Sequence, residues 1–178
     1  MPYAYYNKLS RQDKATYRQS DSIVRVPLTA PERLRPLTRE LCAALETGDR
    51  RGVRSGAQSL MTSMVNDLGA PAVQVSVLSA RPAHDWGELQ GLYEPEGDDE
   101  IALITVWMRT AANKRIVAFK TFLRTLLHEL CHHLDYELFE LEESFHTEGF
   151  FKRESSLFHQ IVGDSISRPA PAASPLFD

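Results

Sequence analysis

Apolar positions recur along this chain with two different periods, and each change of period marks a predicted change of element. Residues 1–30 are polar and tyrosine-bearing, with a short helix predicted over 9–18 and an extended link through 24–27. Pro31 then opens an amphipathic run over 32–46 that closes at Gly48, and a second helical run over 49–68 ends at Gly69 and Pro71. At this point the period drops to two. Val73, Val75 and Val77 alternate with smaller or polar residues over 72–79, which predicts a strand with one buried face. Two more strands are predicted over 86–93 and 101–108, separated by the acidic turn 94–100; the later one is apolar on both faces and so covered on both. From 114 to 140 the helical period returns, with Ile116, Phe119, Leu123, Leu126, Leu127, Leu130 and Leu134 as the core stripe. A turn over 140–144 leads to a last helix over 147–162, where Phe150, Phe151, Leu157 and Ile161 are available for packing.

Helices, then three strands, then two helices predict an α+β domain with a small three-stranded sheet, a long helix and a C-terminal helix. The divisions read as a polar N-terminal arm over 1–30, a folded domain over 31–163 and a disordered Pro/Ala-rich tail over 164–178.

Composition narrows the class. With 43% hydrophobic and 25% charged residues in 178, the chain suits one soluble domain with a core of its own. No apolar run suits a secretory signal or a membrane span, and Cys42 and Cys131 follow no metal-ribbon or redox spacing. These features predict a cytoplasmic protein with reduced thiols and no membrane partner. Charge is unevenly spread: residues 1–60 carry 11 Lys/Arg against 6 Asp/Glu, and residues 61–178 carry 9 against 18. The basic N-terminal part, together with Lys114, Arg115, Lys120 and Arg124, is compatible with a nucleic-acid partner, but solvated arginine-rich helices are the favoured explanation because no aromatic-basic binding motif accompanies the charge.

The candidate chemistry sits inside the long helical run, in His128-Glu129-Leu-Cys-His132. Residues four apart on a helix share a face, so His128 and His132 can offer two imidazole nitrogens to one metal ion. Glu129, one step around the helix, is placed to act as general base toward a water held there, the zinc-peptidase arrangement. Asp135 falls three residues after His132 and is a candidate to orient a ligating imidazole. Tyr136 is a candidate oxyanion stabiliser, with core packing as the favoured reading. His133 points about 100° away from His132, toward solvent or toward the rim of the site. Cys131 reads as a small core residue, and His84 and His159 acquire no role.

A catalytic zinc usually takes three protein ligands and keeps one position open. The metzincin pattern needs a glycine at position 135 and a histidine at 138; this chain has Asp135 and Leu138, which excludes that class. His146 is the favoured third ligand, and the chain between the helix end and His146 is long enough to turn back. Glu142, Glu143, Glu148 and Glu154 are the carboxylate competitors.

These residues resemble the SprT-like family of minimal zincin metallopeptidases, which pair an HExxH helix with a later histidine followed at +4 by an aromatic residue. Here 13 residues separate His132 from His146, and Phe150 stands at +4. Upstream, Glu88-Leu-Gln-Gly-Leu-Tyr93 and Ile101-Ala-Leu-Ile-Thr-Val106 are similar to the strands that precede the active helix in that family. The resemblance covers about residues 32–163 and lacks the family's four-cysteine ribbon. It implies a zincin-like domain that holds one Zn2+ through His128, His132 and His146 and hydrolyses protein or peptide substrates with Glu129 as base. A cleft-edge strand, among 86–93 or 101–108, would then align the substrate as an added strand. The competing expectation is a metal-binding but non-proteolytic regulatory or interaction protein on the same scaffold, possibly associated with nucleic acid.

Overall fold

The structure, a computed structural model, describes residues 3–81, 83–84, 87–88, 90–95, 97 and 101–163. After a 3-10 turn at Ala4–Lys8 come α1 (Arg11–Ser22), α2 (Pro31–Thr47) and α3 (Arg50–Leu68). The strands are β1 (Gln74–Ala80), β2 (Ala83–His84), β3 (Gly87–Glu88), β4 (Gly91–Glu94) and β5 (Leu103–Arg109), and the chain ends in α4 (Phe119–Glu137) and α5 (Glu148–Val162). The α+β order expected from the periodicity is the order observed.

Local chemistry sets the helix starts. Ser10, Asp49 and Thr147 each accept a backbone N–H from the first turn of α1, α3 and α5, and Pro31 occupies the first turn of α2. The run predicted as one helix over 114–140 is shorter at both ends. Lys114 adopts a left-handed φ of 53°, and residues 110–117 fold back along β5 through Thr110 N–H to Arg115 O and Val117 N–H to Met108 O. The amides of Phe139 and Leu141 bond back to the Leu134 and Asp135 carbonyls, closing α4 before Glu140, which is also left-handed at φ 51°.

The main sheet has the order β1-β5-β4, with β1 parallel and β4 antiparallel to the central β5. Ile104, Val106 and Met108 of β5 are fully buried, as an apolar central strand requires. The strand predicted over 86–93 is divided: among the described residues only Gly91–Glu94 joins β5, while Ala83–His84 and Gly87–Glu88 pair separately, and Trp86 and Leu89 lie outside the described residues. The predicted tail, 164–178, also lies outside them. Gln58 of α3 covers the outer edge of β1, accepting from Val75 N–H at 2.8 Å and donating to the Val73 carbonyl at 3.0 Å. β4 forms the opposite edge, beside α4. α2 packs on α3, α3 on β1, and α5 on α4, α2 and α1. No described helix is long and apolar enough to cross a membrane.

Candidate metal centre

Helix α4 turns one face inward and another toward a cleft. Leu123, Leu126, Leu127, Leu130 and Leu134 are all fully buried. At roughly 1.5–3 kcal/mol per buried leucine, these five fix the rotation of the helix more firmly than any single polar contact. His128, Glu129 and His132 then line a cleft of about 740 Å³ bounded by β4 on one side and the α4–α5 loop on the other. That loop returns His146 to the two helical histidines. The three ligand atoms lie within 4.8 Å of one another, and among the described residues no other His, Cys, Asp or Glu joins such a group.

The geometry is tight. His146 Nε2 is 2.9 Å from His128 Nε2 and 3.1 Å from His132 Nε2. Phe150, fully buried, packs its ring against all three imidazoles, with centroid separations of 4.9, 4.8 and 5.1 Å. An apolar floor under a triangle of nitrogens leaves them no polar partner from below.

Proton accounting tests whether this triangle suits a cation. His128 Nδ1 lies 3.3 Å from Glu154 Oε2, and a carboxylate only accepts, so Nδ1 carries the proton. Ser144 Oγ donates to Asp135 Oδ2 at 2.8 Å and therefore accepts from His132 Nδ1 at 2.7 Å. Both imidazoles thus turn bare Nε2 lone pairs toward His146, whose Nε2 holds at most one proton and can satisfy only one of them. A cation among the three satisfies all. Nitrogens at about 2.0–2.1 Å around a tetrahedral zinc are about 3.3 Å apart, close to the spacing found here. The donor set fits a divalent ion.

Electrostatics favour the same state. Burial, then the neighbouring charges of His128, His146 and Arg153, pushes His132 down to about 3. Burial and His128 also lower His146, against a smaller opposing pull from Glu154. Both rings are neutral at pH 7, the form that binds metal. Glu154 is buried, which works against its charge, yet hydrogen bonds from His128 and Arg124 hold its carboxyl below the usual range. The Arg124 guanidinium donates to Glu154 Oε1 at 3.0 Å and lies 4.3 Å above the Phe158 ring.

Glu129 is nearly buried, at 6% exposure, and its carboxylate lies directly on the backbone of β4. A Cβ at residue 91 would overlap Glu129 Oε1 and stand 2.8 Å from Cγ and Cδ, so the carboxylate keeps this position only while residue 91 is glycine. Burial raises the Glu129 carboxyl to about 7, against the pull of His128. A carboxyl poised near neutrality can both take and return a proton.

The remaining expected residues fall into place as follows. Asp135 is fully buried and reaches His132 only through the Ser144 hydroxyl; its other oxygen accepts from Arg153 Nη2 at 2.6 Å. Burial raises the Asp135 carboxyl, with Arg153 and Ser144 opposing. We take it as ionised, because a guanidinium with no exposure needs a counter-charge beside it. Tyr136 lines the cleft, donates to Glu143 Oε1 at 2.9 Å and stacks on Tyr93. His133 does not face solvent. It is fully buried, donating from Nε2 to the Pro71 carbonyl at 2.9 Å and accepting the Tyr93 hydroxyl at Nδ1. Its direction around the helix points it at β4 and the link before β1. Among the competing carboxylates, Glu142 accepts from Gln12, Glu143 from Tyr136, and Glu148 pairs with Lys152. Cys131 is a core residue.

Two contributors, Ser144 and Arg153, have no signature in the sequence, while Gly91 carries one, since an isolated glycine inside a strand pattern signals close backbone approach. Comparison with protein-family models, curated proteins and solved structures returns no match to this chain.

Proposed function

We propose that this chain is a zinc-dependent endopeptidase of SprT-like type, acting on extended stretches of polypeptide in the cytoplasm. One observation carries the reading: a buried carboxyl, Glu129, stands beside a three-imidazole cluster in a cleft walled by an edge strand. Zinc held by His128, His132 and His146 would polarise a peptide carbonyl and acidify a water. Glu129 takes a proton from the attacking water and returns it to the amine nitrogen released when the C–N bond breaks. Its carboxylate reaches the cleft floor because Gly91 lets it lie on β4. Among the described residues β4 is an edge of the main sheet, and a substrate strand added there would run in line with the base. Folded proteins, whose backbone groups are already paired, fit this edge poorly.

The test is zinc analysis together with cleavage of an unfolded protein by wild type and Glu129→Gln. Wild type should hold one zinc per chain and cleave; the variant should hold zinc and not cleave. Turnover by a zinc-replete Glu129→Gln protein removes the mechanism. A zinc-replete wild type that cleaves no extended substrate supports instead a metal-binding regulator on the same scaffold.

A further inference from the structure

The loop between α4 and α5 carries both His146 and Ser144 but has no helix or strand of its own. What holds it is the opposite end of the chain. Arg153, fully buried in α5, is the hub. Its Nη1 donates to the Ser20 and Ile23 carbonyls at 2.6 and 2.7 Å, and its Nη2 to Ser20 Oγ at 3.1 Å and Asp135 Oδ1 at 2.6 Å. Asp135 holds Ser144, and Ser144 holds His132 Nδ1. An unbroken line of hydrogen bonds therefore runs from the C-terminal end of α1 to one of the three imidazoles.

A second line reaches the backbone of another ligand residue, His146. The Tyr5 hydroxyl donates to the His146 carbonyl at 3.1 Å, and the Tyr5 and Tyr17 rings pack on Phe145 at 6.5 and 6.0 Å. Between the two lines, Gly149 N–H donates to Asp21 Oδ1 at 2.9 Å. The approach is so close that a Cβ at Gly149 would stand 2.7 Å from the Ser20 carbonyl oxygen. These contacts engage the ligand-bearing loop and the start of α5 from one side.

We propose that the N-terminal segment, residues 3–23, is a positioning element of the metal centre. It acts through Arg153, Asp135 and Ser144 on His132, and through Tyr5 on His146, and so sets the affinity for the ion. The inference rests on the metal reading of the three-histidine cluster. Its physical basis is orientation: an imidazole whose outer N–H is held by a fixed acceptor keeps its ring plane and tautomer, and loses no freedom on binding metal. Arg153 suits the role because its planar fork serves two carbonyls and a carboxylate at once, which a lysine ammonium cannot match in geometry.

The experiment uses the full chain, with Zn2+ measured in competition with a chromophoric chelator and Co2+ as spectroscopic probe. Ser144→Ala cuts the first line at a half-buried hydroxyl; we expect Zn2+ to bind about 10–100-fold more weakly and the cobalt ligand-field bands to shift. Ser144→Thr, which keeps the hydroxyl, should restore both. Tyr5→Phe keeps the ring on Phe145 and should weaken Zn2+ by about fivefold. Thermal unfolding of the metal-free variants separates positioning from packing. If Ser144→Ala and Tyr5→Phe lose stability yet keep wild-type affinity and cobalt spectrum, the proposal is overturned. Wild type that binds neither ion overturns the metal reading itself, an outcome distinct from equal binding by all variants, which overturns only this inference.

Discussion

Replacing Glu129 by Gln removes a titrating group from the cleft wall while keeping its shape, and the structure dictates how the gain in stability varies with pH. In the metal-free protein, burial raises the carboxyl from 4.5 to about 7. The unfolded chain returns it to its ordinary value, so the folded state is the better proton binder between the two. Folded stability from this group is therefore intact below 4.5 and is lost as the pH rises toward about 7. One pH unit is worth about 1.36 kcal/mol, so a difference of about 2.5 units costs wild type about 3 kcal/mol at pH 8.5. Linkage puts the cost at about 2 kcal/mol at pH 6 and about 1 kcal/mol at pH 5. The low values of His132 and His146 also make stability depend on pH, with the opposite slope, but both proteins share that dependence and it cancels in the difference. Guanidinium unfolding of metal-free wild type and Glu129→Gln across this range should show a variant that is more stable, by a margin widening with pH. A margin that is constant, or that narrows as pH rises, refutes the burial argument. Loading with zinc should shrink the margin at pH 8.5, because a cation beside the carboxylate favours its ionised form.

Other perturbations probe the neighbours. Gly91→Ala must push the Glu129 carboxylate off β4, so turnover should fall about 100-fold while zinc content measured by atomic absorption stays at the wild-type value; undiminished turnover would show that the base tolerates displacement. His146→Ala should lower the bound zinc per chain, and an unchanged stoichiometry would pass the third position to a carboxylate such as Glu154, which already touches His128. Asp135→Asn leaves the Arg153 guanidinium buried without its counter-charge and should cost about 3–5 kcal/mol in denaturant unfolding. A loss under about 1 kcal/mol would mean that water reaches the pair.

Much of the fold was legible because periodicity reports burial directly. The Val73, Val75, Val77 alternation and the leucine stripe of α4 mark the buried faces found in the structure. Strand β4 was harder: its glycine and its short length serve the cleft, and a four-residue edge strand carries little alternation. The ends of α4 were misplaced because left-handed backbone at Lys114 and Glu140 interrupts a pattern whose apolar spacing continues unbroken. His128, Glu129 and His132 announce themselves through a spacing that helix geometry makes meaningful. Ser144 and Arg153 could not, since each matters only through contacts the folded chain makes: Ser144 with His132 and Asp135 across the α4–α5 turn, and Arg153 with Ser20, 133 positions earlier. His133 was misjudged for a related reason. An angle around a helix gives a direction, and which neighbour waits in that direction is a tertiary fact.

The reach of Arg153 back to Ser20 also has a consequence for the order of events during synthesis. At about 5–20 residues per second, the 133-residue step from Ser20 to Arg153 takes roughly 7–27 s to translate. Throughout that interval α1 lacks the helix it docks on, and His132, once made, lacks the Arg153–Asp135 support behind its Ser144 partner. The nascent chain therefore exposes two histidines and a carboxyl of an unfinished centre, which closes only when α5 is delivered. The three-histidine centre is thus among the last parts of the described fold to acquire its hydrogen-bonded support.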